Sequence, residues 1–119
     1  MVNSATGHYY KRFSETLLFF LGESNYTTLT ANTDLDTLYG DPGKAVTVYV
    51  IPSQGVSSSL VNTPVNMVTG AVLFVITGYA TGNVNTRYRT QILIYHTSVY
   101  IRYIGNGESW GSWKEVSTI

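Results

Sequence analysis

Residues 91–104 read Gln-Ile-Leu-Ile-Tyr-His-Thr-Ser-Val-Tyr-Ile-Arg-Tyr-Ile, an apolar alternation broken once by a short polar step. Two period-two runs flanking such a break predict a β-hairpin, here Thr86–His96 against Val99–Ile104 across Thr97-Ser98. A two-residue turn at that place sets His96 opposite Val99, Ile94 opposite Ile101 and Ile92 opposite Tyr103, the face expected to be the core. The other face then shows Tyr95 beside Tyr100, Leu93 beside Arg102 and Gln91 beside Ile104, with Arg89 further along. A change of one residue in turn length exchanges the two faces.

Further strands follow from the same alternation. Ala45–Ile51 places Val46, Val48 and Val50 on one face and Thr47, Tyr49 and Ile51 on the other, and Pro52 ends it. Ala71–Thr77 is apolar on both faces, as a central strand covered from two sides is. Ser112–Ser117 reads as a short last strand. Thr33 to Leu38 has the form of one capped helical turn, with Thr33 or Asp34 accepting from the freed amides while Leu35 and Leu38 face inward. Gly40-Asp41-Pro42-Gly43 forces a turn, and residues 78–85 make another. Residues 53–70 are rich in Ser, Asn, Gly and Thr without strong periodicity, and ordered loops of that length tend to be functional.

Residues 9–21 put Tyr9, Phe13, Leu17 and Phe20 close to a helical stripe that stops at Gly22, with an edge strand as the alternative. The run Leu17–Leu21 is apolar all round and needs a neighbour, for which a second subunit is one candidate. The fold class expected is mainly β: an antiparallel sheet or sandwich of about four to six strands with a short N-terminal helix or arm. Residues 1–32 form the arm and residues 33–119 the β-rich domain.

Charge narrows the partners. Seven Lys and Arg balance seven Asp and Glu, and charged residues make up 12% of the chain, about half the usual share. No field draws it toward a polyanion, so nucleic acid is not an expected partner. Sparse charge implies an uncharged polar surface, or surface buried against further copies of the chain. With no cysteine there are no disulfides and no thiolate metal sites. Met1 precedes Val-Asn-Ser-Ala-Thr-Gly, without the basic start and apolar run of a secretion signal. Leu17–Leu21 and Ala71–Ile76 fall far short of the roughly 20 residues that span a bilayer, so no membrane insertion is expected.

Two groups of residues are candidates for binding. Trp110 and Trp113, at i and i+3 on a strand, point to opposite faces, so one packs inward while the other lies open. Exposed rings suit sugars, because pyranose C–H faces stack on them while indole N–H groups bond hydroxyls. Both indoles capping the core or a subunit interface is the competing reading. The second group is Tyr95, Tyr100 and Arg102 with Gln91 and Arg89. Tyr and Arg are enriched both in ligand sites and in subunit interfaces, and Arg102 suits a carboxylate or phosphate on an acidic glycan.

Catalysis and metal binding find little support. His8 and His96 have no neighbours at metal-ligand spacing. Asp34, Asp36 and Asp41 lack the remaining ligands of a calcium loop, with Leu38 and Ala45 where oxygens belong, and capping and turn formation account for them better. No nucleophile elbow surrounds a serine, no phosphate-cradling loop is present, and no carboxyl pair stands out for glycoside hydrolysis. No enzyme, cofactor or metal is expected.

The order of a Gln-Ile strand, a Tyr100-Ile101-Arg102 strand, the turn at Gly105–Gly107 and Trp110-Gly-Ser-Trp113-Lys114 resembles the knob-like receptor-binding tips of bacteriophage tail fibres and fibre-type bacteriocins. The Asp-Leu turn at residues 34–38 leading to Gly40, and Asn62-Thr63-Pro64 where the family often has Asn-x-Pro, extend the likeness over residues 33–117. Lys44-Ala-Val follows where the family carries an aromatic pair. The resemblance implies a homotrimer at a fibre end, part of a virion. It implies adhesion to bacterial cell-surface polysaccharide without catalysis, and other tail-fibre or baseplate proteins as partners. It also favours a framework role for at least one of the two tryptophans. A purely structural fibre collar or baseplate part and a depolymerising tail enzyme are the rival readings.

Overall fold

The computed structural model describes residues 26–41, 43–77, 87–106 and 109–116. Among them the protein is mainly β, built on one six-stranded sheet whose order follows the chain: β1 (Thr27–Thr28), β2 (Val46–Val50), β3 (Val72–Thr77), β4 (Arg89–Tyr95), β5 (Ser98–Ile104) and β6 (Lys114–Glu115). All neighbours are antiparallel except β1, which pairs parallel with β2, Thr27 opposite Tyr49. The expected helical stripe at residues 9–21 and the turn at residues 78–85 lie outside the described residues.

Alternation divides the sheet into a front and a back. The front carries Thr47 and Tyr49 from β2, Leu73 and Val75 from β3, Arg89, Gln91, Leu93 and Tyr95 from β4, and Tyr100, Arg102 and Ile104 from β5. Leu73, Val75 and Leu93 are almost wholly buried there, each contributing about 1.5–3 kcal/mol. Two pieces cover them. One is a single 3-10 turn at Leu35–Thr37, with Asp34 as its cap: Asp36 N–H donates to Asp34 Oδ1 at 2.9 Å, and Leu35 is fully buried. The other is α1 (Gln54–Ser59), capped by Ser53 Oγ, which accepts from Val56 N–H at 3.3 Å. Val56 and Leu60 pack on the core, and Ser57 Oγ donates to the Thr69 carbonyl at 2.6 Å. This helix lies in the stretch expected to be loop; its Ser53 cap and the Val56–Leu60 spacing of four are its traces in the sequence. Between these covers, Leu35 N–H donates to the Val61 carbonyl and Val61 N–H to that of Thr33, both at 3.0 Å.

The hairpin differs from its expected form in register and in orientation. The turn is His96-Thr97, with His96 at φ 56°, so Tyr95 pairs with Ser98, Leu93 with Tyr100 and Gln91 with Arg102. The two faces keep their expected members, but the face with Gln91, Leu93 and Arg102 is the core. The apolar one with Ile92, Ile94, Ile101 and Tyr103 is the back. On β3 the front residue Val75 is buried while its back-facing neighbour Ile76 is 36% exposed; Phe74 on the back is half-buried, and Val48 opposite it on β2 is buried.

Gly40 connects the 3-10 turn to β2 at a place where only glycine fits. Its φ is +85°, and a Cβ there would stand 3.0 Å from Thr47 Oγ1 and 3.3 Å from Val75 Cγ1.

Candidate functional site

On the front, near the β5 edge, six of the seven residues singled out from the sequence meet in or beside one bonded network. Arg102 is its centre, with the side chain 5% exposed. Its Nη1 stands 2.7 Å from Asp36 Oδ1, and its Nε donates to Gln91 Oε1 at 2.7 Å. Gln91, fully buried, donates through Nε2 to the carbonyls of Leu35 at 2.8 Å and Leu38 at 3.0 Å. The guanidinium carbon lies 4.8 Å from the Trp110 ring centre and 4.4 Å from that of Trp113, within the range of cation–π attraction.

Both tryptophans thus flank one cation instead of pointing to opposite faces. The reason is local: residues 109–113 are not a strand, so the alternation assumed for them does not apply. Their indole N–H groups are also committed, Trp110 Nε1 donating to the Asp36 carbonyl and Trp113 Nε1 to the Asn62 carbonyl, each at 2.9 Å. Asn62 closes the ring of contacts. It adopts a left-handed φ of 62°, which asparagine tolerates, and its Nδ2 donates to Asp34 Oδ1 at 2.8 Å and Asp36 Oδ2 at 3.0 Å. Tyr39 stacks on Trp110, and Arg89 Nε donates to the Tyr39 carbonyl at 2.9 Å. Tyr100 is half-buried against the core. Tyr95 lies apart, accepting from Val68 N–H at 3.1 Å and stacking on His96.

Burial lowers the Arg102 pKa from the ordinary guanidinium value; the close contact and charge of Asp36, then the charges of Asp34 and Tyr39, oppose that shift. Arg102 Nη2 is buried without a hydrogen-bond partner among the described residues, whereas Asp36 Oδ1, which makes no hydrogen bond of good geometry, is within ion-pair distance of Nη1. This network ties the 3-10 turn, the Asn62 loop and the C-terminal segment to the hairpin, and its geometry is that of a framework.

A second feature lies at the corner where β5, β6 and residues 109–112 meet. Thr90, Ile101, Arg102, Tyr103, Ser109, Gly111, Ser112 and Lys114 line a hollow of about 520 Å³, a size common for small-ligand sites. Tyr103 is 52% exposed. Thr90 is opposite Tyr103, and Ile101 is opposite Lys114, so Thr90, Ile101, Tyr103 and Lys114 all belong to the back face. Gly111 holds the rim close, donating its N–H to the Tyr103 carbonyl at 2.9 Å; a Cβ at Gly111 would come within 3.3 Å of that oxygen. An open phenol ring, hydroxyls and one ammonium suit a sugar ring and its hydroxyls. Apart from Arg102, this set differs from the one the sequence suggests, because the face expected to be the core includes Tyr103. The signal for it was the final lysine of the Trp-x-x-Trp-Lys run combined with the correct hairpin register. Among the described residues, no group of three or more His, Cys, Asp or Glu is placed to hold a metal ion.

Comparison with protein-family models, with curated proteins and with solved structures returned no match.

Proposed function

We propose that this protein is a tail-fibre tip domain of a bacteriophage or prophage, exposed on the virion and adhering to host cell-surface polysaccharide by non-covalent binding. The observation that carries the reading is the corner hollow. An exposed Tyr103 ring stands there beside the hydroxyl residues Thr90, Ser109 and Ser112 and the cation of Lys114, on a rim that the Arg102 network makes rigid. Preorganised sites lose little entropy when they bind. The activity proposed is binding without cleavage, as the resemblance to fibre tips implies. A homotrimer multiplies weak single-site affinity by avidity. It would appear in light scattering as about three times the 13.1 kDa chain mass.

The test is binding to an array of bacterial surface glycans, followed by calorimetry on any hit. Tyr103→Ala is expected to weaken binding at least about tenfold, the equivalent of roughly 1.4 kcal/mol, while thermal stability stays close to that of the parent. Trp110→Ala and Arg102→Ala do not serve, since each dismantles the frame. A structural collar or baseplate module is the second reading, favoured by the internal commitment of Arg102, Gln91 and both indole N–H groups. Silence across the array supports that module.

A further inference from the structure

Among the described residues, the corner hollow has one charge that is not already matched. Of its two lining cations, Arg102 stands 2.7 Å from Asp36 Oδ1 and its side chain is 5% exposed. Lys114 is exposed and makes no ion pair among the described residues. The described carboxylates are held elsewhere. Asp34 and Asp36 accept from Asn62, and Asp41 is 3.2 Å from Lys44 Nζ. Glu115 is opposite Tyr100 on the front, 3.5 Å from Ser98 Oγ.

Strand register fixes where the Lys114 ammonium stands. Lys114 pairs with Ile101, which sets it diagonal to Tyr103 on the same face, and diagonal neighbours are about 7–8 Å apart. Half-buried Ile101 lies between them as an apolar floor, and exposed Ser109 and Ser112 border the hollow. A pyranose whose C–H face lies on the Tyr103 ring therefore brings a substituent at its edge to Lys114. The carboxylate of a hexuronic acid is bonded directly to the ring, without a flexible arm to be ordered.

We propose that the hollow selects a sugar with a carboxylate on its ring, a hexuronic acid unit of an acidic polysaccharide. Tyr103 holds the ring and Lys114 the carboxylate. This rests on the adhesion reading of the same hollow and names the class of glycan. Hydroxyls of Thr90, Ser109 and Ser112 serve neutral and acidic sugars alike, so Lys114 is the residue that discriminates. A charge-assisted hydrogen bond is about twice as strong as a neutral one. The chain balances seven basic against seven acidic residues, so the preference is local and not a long-range attraction.

The probes are methyl glycosides of galacturonic, glucuronic and mannuronic acid, each beside its uncharged methyl ester. Singly charged phosphodiesters of the corresponding hexoses complete the set. Each is titrated into the full chain and followed by the NMR amide shifts of Tyr103, Ser112 and Lys114. At least one acid is expected to bind about three- to fivefold tighter than its ester. That gap should shrink as salt rises from about 0.05 M to about 0.5 M. Lys114→Met should close the gap between acid and ester measured on the same variant, and Lys114→Arg should keep it. Equal binding of acid and ester would overturn this inference and leave the adhesion reading standing, as would a phosphodiester tighter than every acid. No shift with any acid overturns it too. A neutral array glycan that moves Tyr103 would then preserve adhesion, and silence across the array would remove both.

Discussion

Two adjacent cross-strand pairs in the middle of the hairpin have opposite fates. Gln91 and Arg102 point to the front and are buried, whereas Ile92 and Ile101 point to the back and remain partly exposed. Hydropathy alone would exchange them. What decides is the company each side receives. The front is met by the carbonyls of Leu35 and Leu38 and the carboxylate of Asp36, placed at hydrogen-bonding distance. A buried polar group that finds its partners costs little, and one that loses them costs about 1–3 kcal/mol. The polar front therefore carries information that the apolar back lacks. Sliding β5 by two residues keeps the back rows apolar, but it would set Gln91 against Ile104 and Leu93 against Arg102. Only the register in which Gln91 faces Arg102 satisfies the network.

That contrast breaks most visibly at Asp36. Asp36→Ala leaves the Arg102 guanidinium buried without its counter-charge and should lower unfolding free energy in urea by about 3 kcal/mol, near the lower end for a broken buried pair. The low end applies because Asp36 itself is 42% exposed. Asp36→Asn should recover part of the loss by keeping an acceptor. A cost below about 1 kcal/mol would mean that the front network behaves like any surface pair. Next in size is Gln91→Leu, close in volume and fully apolar. It should destabilise by about 2 kcal/mol, because two carbonyls and Arg102 Nε lose their partner together. A neutral or stabilising result would show that the front is an ordinary hydrophobic core after all.

These effects also mark how far the chain could be read without coordinates. The strands at residues 46–50, 72–77 and 89–104 and the Asp34-capped turn followed from periodicity and capping, which are local properties. Face orientation did not, since period-two alternation states which residues share a face and is silent on which face is covered. The Trp110–Arg102–Trp113 stack was invisible for a similar reason. It depends on residues 109–113 leaving strand geometry, and on Asp36 and Asn62 arriving from distant positions in the chain. Composition did point to Arg102 and the indoles as special, yet the same residue types serve frameworks and binding surfaces alike. Tyr103 and Lys114 open to solvent because they lie on the back, and alternation does not say that the back is the less covered face.

Tyr49 offers a finer probe of the covered side. It sits on the front of β2, and burial raises its pKa first, with the charge of Asp41 adding to the shift and a hydrogen bond at the Gly40 backbone opposing it. The folded protein therefore keeps this proton above the pH of about 10 where an unfolded tyrosine releases it. Unfolding then sheds a proton, so the stability that Tyr49 contributes is intact below about pH 10 and is lost as pH rises past that value. Tyr95 shifts the other way, lowered chiefly by its hydrogen bond with the Val68 backbone, but it is present in parent and variant alike and cancels in the comparison. Between about pH 9 and pH 11, the parent should lose stability more steeply than Tyr49→Phe, as followed by denaturant midpoints at each pH. Parallel slopes would place the Tyr49 hydroxyl in water, and the front of the sheet would then be less sealed at β2 than at Gln91.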